Sequence, residues 1–305
     1  MGTYSEEQLS NYCATVSDTE EERIKNAKEM IKSAINDSAE FNALDYEIFE
    51  QGSYANNTNI RVDSDIDICV MLKSTFYSAY PDGLTYRDYG FLVGTMTFDD
   101  YKGRIFRALN KKFGNDIKIG NKSIKIKSNS YRVNADVVVA FQYRNYRRLN
   151  SRTPNNFIEG IKFFYGKVEE VINYPKEHIK NVTSKNKLTE LQYKKLVRIF
   201  KNIKNDMVMV YDKTLNADTI SSFLIESLIY KLPIEEYRYS DWDNTNWDNT
   251  IRNAIHYLWD GFNQKQCNNW TEPSECIYLF HSNRKWTQRD AQDFLLKMWQ
   301  YLGYK

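Results

Sequence analysis

The 305-residue sequence predicts an α+β fold, a mixed-sheet core followed by a mainly helical second lobe. Three observations carry that expectation. Two aspartates, Asp65 and Asp67, sit two apart on the apolar run that continues to Leu72, shortly after a Gly52-Ser53 turn. A second run, Arg132 to Phe141, is almost continuously apolar and carries one acid, Asp136. From about Phe157 onward the apolar residues recur mainly at helical spacing.

The elements follow in order. Residues from about Asp18 to Ala39 are charged with helical patterning, and Asp18 with Glu21 makes an N-terminal cap pair. Tyr46 to Phe49 is a short strand leading into the Gly-Ser turn. After the Asp65–Leu72 strand, Tyr80-Pro81-Asp82-Gly83 has turn composition. Phe98 to Phe113 reads as a helix capped by Thr97. Ile117–Ile119 and Ser123–Lys127 read as strands joined at Gly120-Asn121, and Tyr131–Phe141 as another strand. Further on, Leu188–Asp206 carries the stripe Leu191, Leu196, Val197, Phe200 and Ile203. A small duplication, Trp242–Thr245 and Trp247–Thr250, reads as a surface turn entering a helix near Thr250. It lacks the glycine and terminal glutamate of a calcium loop. Trp286–Leu302 is an amphipathic helix. The expected domains are residues 1–155 and 156–305.

The chemistry lies in the acids. Side chains alternate along a strand, so Asp65 and Asp67 point one way and Ile66, Ile68, Val70 and Leu72 the other. Two like charges at about 4 Å repel by roughly 4 kcal/mol at an effective dielectric near 20. Paired oxygen ligands on one face suit Mg²⁺ held between protein and phosphates, with Mn²⁺ an alternative. Gly52 lets the backbone approach a ligand closely, and the amides and the Ser53 hydroxyl after it suit a triphosphate tail. Alone, a Gly-Ser pair is an ordinary turn and an Asp-x-Asp a solvated edge. Together, in this order, they form a signature of metal-dependent nucleotidyl transfer. Asp136 must be paired, protonated or coordinating metal, because an unpaired buried carboxylate is costly. A salt bridge to Arg132 or Arg144 is the plain alternative; the acids upstream favour a neighbouring strand that brings Asp136 beside Asp65 and Asp67.

At these motifs the sequence resembles the cyclic GMP-AMP synthase and dinucleotide-cyclase group of nucleotidyltransferases, bacterial makers of cyclic oligonucleotide signals in anti-phage defence. More distantly it resembles oligoadenylate synthases. The carriers are Gln51-Gly52-Ser53-Tyr54 with Thr58, Ser64-Asp65-Ile66-Asp67, and Tyr131–Val138. Val171–His178 looks like the segment after the catalytic sheet, and Tyr193-Lys194 with Arg198 and Lys201 like the spine helix. Val139 departs from the family, which often has proline there. The resemblance implies a nucleotidyltransferase (polymerase-beta-like) core and a helical lobe completing the nucleotide cleft. It implies Asp65, Asp67 and Asp136 as catalytic metal ligands. It also implies nucleotide contacts by Gln51, Gly52, Ser53, Arg198, Lys201, Ser222 and Phe223, the last stacking on the donor base. Substrates would be nucleoside triphosphates (ATP, GTP or others), the product a cyclic di- or trinucleotide released with pyrophosphate, and the partner a product-sensing effector protein. Two rivals stand beside this: a template-independent transferase acting on RNA, protein or a small molecule, and a nucleotide- or RNA-sensing pseudoenzyme.

Composition narrows the setting. The net charge of +2 excludes an overall polycation, but Lys102–Lys127 holds nine Lys or Arg and only Asp116 as an acid. That run reads either as a solvated face or as one facing RNA, DNA or phosphate. Cys13, Cys69, Cys267 and Cys276 lack metal-ligand spacing and fit a reducing cytosol, with Cys69 a small core residue. No signal peptide and no membrane-length stretch stand out, so a soluble, cytoplasmic monomer without membrane partners is expected. His178, His256 and His281 are isolated, and His178 reads as structural.

Overall fold

The computed structural model describes residues 3–15, 17–60, 65–166, 169–211, 219–237, 240–241 and 244–305. Ser64 and the Trp242-Asp243 half of the duplication lie outside these residues. In chain order the main elements are helices α1 (Glu6–Tyr12) and α2 (Asp18–Asn36), strand β1 (Tyr46–Gln51), helix α3 (Gly52–Ala55), strand β2 (Ile66–Ala79) and helix α4 (Phe98–Phe113). Strands β3 (Ile117–Ile119), β4 (Ile124–Ile126), β5 (Ala135–Asn145), β6 (Ile158–Tyr165) and β7 (Glu169–Asn173) follow. Helices α5 (Pro175–Leu188), α6 (Gln192–Tyr211), α7 (Ser222–Tyr230), α8 (Trp247–Asn263) and α9 (Gln288–Tyr301) complete the chain.

Two compact units emerge. The first, Val16–Ala55 with Asp63–Lys176, holds a seven-stranded sheet in which β1, β2, β5, β4 and β3 lie side by side. The strands β2 and β5 run parallel and every other pairing is antiparallel, so the sheet is mixed as expected. One edge of β5 serves two neighbours: residues 135–137 pair with β4, and 141–145 pair with β6. Alternation then sorts the faces. Ile66, Ile68, Val70, Ala135, Val137 and Val139 pack with Ile24, Ile31 and Ile35 of α2 and Ile105 and Leu109 of α4. On the opposite face a smaller cluster joins Cys69, Met71, Val138, Ala140, Ile161 and Phe163.

The expected boundary near residue 155 moves to 176/177. Residues 158–165 and 169–173 are not helical but form β6 and β7, with Ile161 and Phe163 turned inward at a period of two. Residues 1–15 and 56–62 belong to the second unit, with Glu177–Lys305. Its core is mainly helical in origin, built on Leu196, Phe200 and Ile203 of α6, Leu224 and Leu228 of α7, Ile251 and Leu258 of α8, and Phe294 and Met298 of α9, with Trp270, Leu279 and Trp286 added from the connections.

Local chemistry explains the remaining shifts. Ser17, not Asp18, caps α2, accepting from the Glu20 amide. The helical stripe near residue 188 is broken: α5 ends at Leu188, and Glu190 and Leu191 take left-handed φ values of 51° and 68° before α6 begins. The strand β5 starts four residues later than expected, because Asn129 receives the amides of Tyr131 and Arg132 and holds them in a turn. The β3–β4 connection spans Gly120–Ser123, closed by the Gly120 amide on the Ser123 carbonyl at 2.8 Å. Asn246 caps α8, so that helix begins before Thr250, and Thr287 caps α9. Helix α4 and its Thr97 cap occur as expected. All four cysteines are free thiols, and Cys69 is buried. Among the described residues no helix is long and apolar enough to cross a membrane.

Candidate active site

Strand register places one residue from each of five strands in a single transverse row. Gln51 of β1 lies opposite Asp67 of β2, Asp67 beside Asp136 of β5, Asp136 opposite Lys125 of β4, and Lys125 opposite Lys118 of β3. Because their neighbours Ile66, Ile68, Ala135 and Val137 are drawn into the helix-covered core, Asp67 and Asp136 face away from it together. Asp65 just precedes β2, is exposed, and adds its negative charge to both.

The acids crowd one another. Burial pushes the Asp67 carboxyl up to about 7; Asp136 and Asp65 reinforce the shift and Lys125 opposes it. Burial raises Asp136 as well; Lys125 works against that rise, Asp65 with it, and a Ser123 hydrogen bond against it. The Lys125 ammonium stands 3.7 Å from Asp136 Oδ2. Neither arginine considered from the sequence is its partner. Arg132 pairs with Asp116 at 2.6 Å, and Arg144 donates to Gln142 and lies 3.6 Å over the Phe76 ring. The basic run is also partly spent within the fold, since Arg104 and Arg107 are both bonded to Glu40.

Gly52 shows why a glycine opens this turn. Its φ is +73°, and a Cβ built on it would stand 2.1 Å from Asp67 Oδ2. The backbone therefore runs directly against the carboxylate, leaving no room for a side chain. Ser53 is the next residue, in the short helix α3. Tyr54 fastens that helix by donating to Glu20 Oε1 at 2.9 Å. The donor chemistry fits a hard divalent cation: carboxylate oxygens whose mutual repulsion a bound cation would relieve. Among the described residues no group of three or more acid, imidazole or thiol side chains is placed to hold a metal ion, so Asp65 does not close a three-acid cluster with Asp67 and Asp136. A cation here would draw its remaining ligands from phosphate oxygens and water.

In the helical unit the expected phosphate contacts are placed differently. Arg198 and Lys201 are only 5% and 2% exposed. The Arg198 guanidinium donates to the carbonyls of Cys13 and Asn57 at 2.7 and 2.6 Å. The Lys201 ammonium donates to the Thr58 carbonyl at 2.8 Å and lies 3.8 Å from Glu226. Both are thus internal struts for residues 56–58, and a role on solvent-borne phosphate is not what these geometries provide. Ser222 opens α7 and is half-buried, while Ser221 caps that helix. Phe223 is half-buried between His178, Trp286 and the Arg284 guanidinium, with separations of 5.5, 6.0 and 5.4 Å.

Glu226, which the sequence reading did not single out, is the hub of this unit. Its carboxylate accepts from Asn56 at 2.9 Å and Thr58 at 2.8 Å, and it bonds His178 Nε2 at 2.8 Å. Burial alone would push the carboxyl up. The His178 contact, Lys201 and the Thr58 hydroxyl outweigh that and hold it at about 2. The available signal was one charged residue inside the apolar run Phe223-Leu224-Ile225-Glu226-Ser227-Leu228-Ile229. His178 is accordingly structural, as expected.

The chain matches known proteins along its whole length. Residues 31–210 match the family profile described as a nucleotidyltransferase domain, and residues 180–303 that of the cGAS/DncV-like nucleotidyltransferase C-terminal helical domain. The chain is similar to the cyclic dipyrimidine nucleotide synthase CdnE of Cecembia lonarensis, 35% identical over 307 residues and 100% of each chain. It is similar to the cyclic dipurine nucleotide synthase of Elizabethkingia meningoseptica, 33% identical over 99% of each. Among solved structures, the Rhodothermus marinus CdnE c-UMP-AMP synthase with Apcpp and Upnpp matches with a TM-score of 0.83. The identity is 28%, covering 99% of this chain and 97% of that one.

Proposed function

The chain belongs to the cGAS/DncV-like nucleotidyltransferases, and from that premise we propose that it condenses nucleoside triphosphates into a cyclic di- or trinucleotide with release of pyrophosphate, as a signal in anti-phage defence. The observation that carries the reading is the in-register pair Asp67 and Asp136 with the Gly52 backbone packed against the first. Asp65, Asp67 and Asp136 would hold Mg²⁺, or Mn²⁺ in its place. When bound, the ions supply charge neutralisation at the triphosphate and acidify the acceptor hydroxyl.

The remaining work falls to side chains and backbone. Gln51, Gly52 and Ser53 bind the β- and γ-phosphates of the donor, the glycine by letting main-chain amides reach them. In this reading Asp136 accepts the proton of the attacking ribose hydroxyl. That hydroxyl attacks the donor α-phosphate in line with the leaving pyrophosphate. A second transfer on the linear intermediate closes the ring. Phe223, which packs beside Trp286 and the Arg284 guanidinium, is the proposed stacking partner of the donor base, and the Ser222 hydroxyl the proposed phosphate contact of α7. The similar proteins are named for dipyrimidine and dipurine products at 35% and 33% identity. Base choice therefore turns on individual side chains rather than on overall similarity. A product-sensing effector protein is the proposed receiver of the signal.

Incubation with labelled nucleoside triphosphates, singly and mixed, tests the reading. A phosphatase-resistant product formed with no added acceptor supports cyclisation. Pyrophosphate release only when RNA, protein or a small molecule is added identifies a template-independent transferase instead. Nucleotide binding without pyrophosphate release under Mg²⁺ or Mn²⁺ identifies a pseudoenzyme.

A further inference from the structure

We propose that Lys118 and Lys125, facing each other across the β3–β4 hairpin, form an anion subsite for the 5′-polyphosphate of the acceptor nucleotide. The proposal rests on the nucleotidyl-transfer reading above. Its basis is the order of groups along the transverse row. The Gly52-Ser53 turn follows Gln51 at the β1 end, the acids Asp67 and Asp136 lie in the middle, and the lysines occupy the other end, with β3 as the sheet edge. A donor whose triphosphate lies at the turn presents its α-phosphate to the acids. The acceptor must then approach from the Asp136 side, where β4 and β3 lie about 5 and 10 Å away at ordinary strand spacing.

Lys125 is paired with Asp136, but Lys118, directly opposite it, adds a like charge that the hairpin itself does not call for. Residues directly opposite in an antiparallel pair share a face with side chains in contact range, and like charges there are destabilising. The alternating isoleucines anchor the hairpin without them: Ile124 and Ile126 are buried in the helix-covered core and Ile117 packs against it. Both ammonium groups are therefore turned to the same face as Asp136. Lys118 is exposed, and the Lys125 side chain is 56% exposed although its tip reaches Asp136. Lys125 thus balances the acid until phosphate arrives, and Lys118 stands one strand further out for the next phosphate.

The test uses labelled acceptors that cannot serve as donors: a nucleoside, and the same nucleoside as its α,β-methylene triphosphate. Each is incubated with excess unlabelled nucleoside triphosphate, and label entering linear product is followed against acceptor concentration. The wild type should half-saturate with the triphosphate analogue about tenfold below the nucleoside, the factor that 1.4 kcal/mol supplies. Lys118→Gln should erase most of that preference and Lys118→Arg keep it. A second measurement needs no turnover: Lys118→Gln should raise the melting temperature of the ligand-free protein by relieving the like-charge pair. An unphosphorylated acceptor used equally well by the wild type overturns the subsite and leaves nucleotidyl transfer standing. So does a preference untouched by Lys118→Gln, or a lowered melting temperature for that variant. Absence of pyrophosphate release with every nucleoside triphosphate removes both readings.

Discussion

Asp67→Asn should make the metal-free protein more stable while destroying its activity. The Asp67 carboxyl is displaced upward from 3.8 to about 7 by burial and by its acidic neighbours. The folded state therefore holds a proton that the unfolded chain releases at lower pH. Below about pH 4 the group is neutral in both states and carries no penalty. As pH rises from there to 7 the penalty grows, and above 7 it is fully present. At 1.36 kcal/mol per unit, roughly three units set a ceiling near 4 kcal/mol. The site is half-buried rather than sealed, and water screens part of that. Losing the attraction of Lys125 for the carboxylate takes back a further part, so a gain of about 1–3 kcal/mol is expected at pH 8, shrinking toward zero near pH 4. The assay is thermal unfolding of both proteins in EDTA at several pH values, paired with pyrophosphate release under Mg²⁺. A variant that is less stable than wild type at pH 8, or equally shifted at pH 4 and 8, would refute the crowded-acid account. Cation binding should reverse the order: millimolar Mg²⁺ with a non-hydrolysable triphosphate should stabilise the wild type and leave the variant nearly unchanged.

Gly52→Ala forces a methyl into Asp67 at a left-handed φ and should lower turnover by about 100-fold, the scale on which ångström displacements act. Unfolding of the same variant should shift only modestly, and wild-type turnover would refute the close approach of turn and acid. Glu226 predicts an acid limit: its carboxyl is depressed from 4.5 to about 2, so its stabilisation is complete above pH 4.5 and lost as pH falls through 2. The loss should be about 3 kcal/mol, visible in urea midpoints between pH 5 and 2. Glu226→Gln should flatten that dependence and cost roughly 3–5 kcal/mol at neutral pH, because Lys201 and His178 lose their shared anion.

The acids were legible because a period-two pattern leaves a carboxylate on an otherwise apolar strand with few explanations. Asp67 and Asp136 each stood out in that way before any pairing was known. Their counter-ion was not legible. Lys125 meets Asp136 through an antiparallel register between β4 and β5, and no local pattern marks one lysine among the nine of its segment. The strands β6 and β7 were missed because Ile161 and Phe163 offer too short an alternation beside Glu159, Lys162 and Glu170. Arg198 and Lys201 share a helix face as their spacing requires, but spacing does not say what covers that face. Carbonyls of residues 13, 57 and 58 do. Glu226 stayed hidden for the same reason: its partners come from residues 56, 58, 178 and 201, far apart along the chain.

The excursion of residues 56–62 into the helical unit has a practical corollary. Neither half of the protein is a continuous stretch of polypeptide, so shearing the chain after Lys176 does not liberate an intact module. A fragment spanning 177–305 would carry Glu226 without the Asn56 and Thr58 donors that satisfy it, and the severed remainder would keep those donors with nothing to bind. A cut at that point strands a buried carboxylate on one fragment and its hydrogen-bond donors on the other.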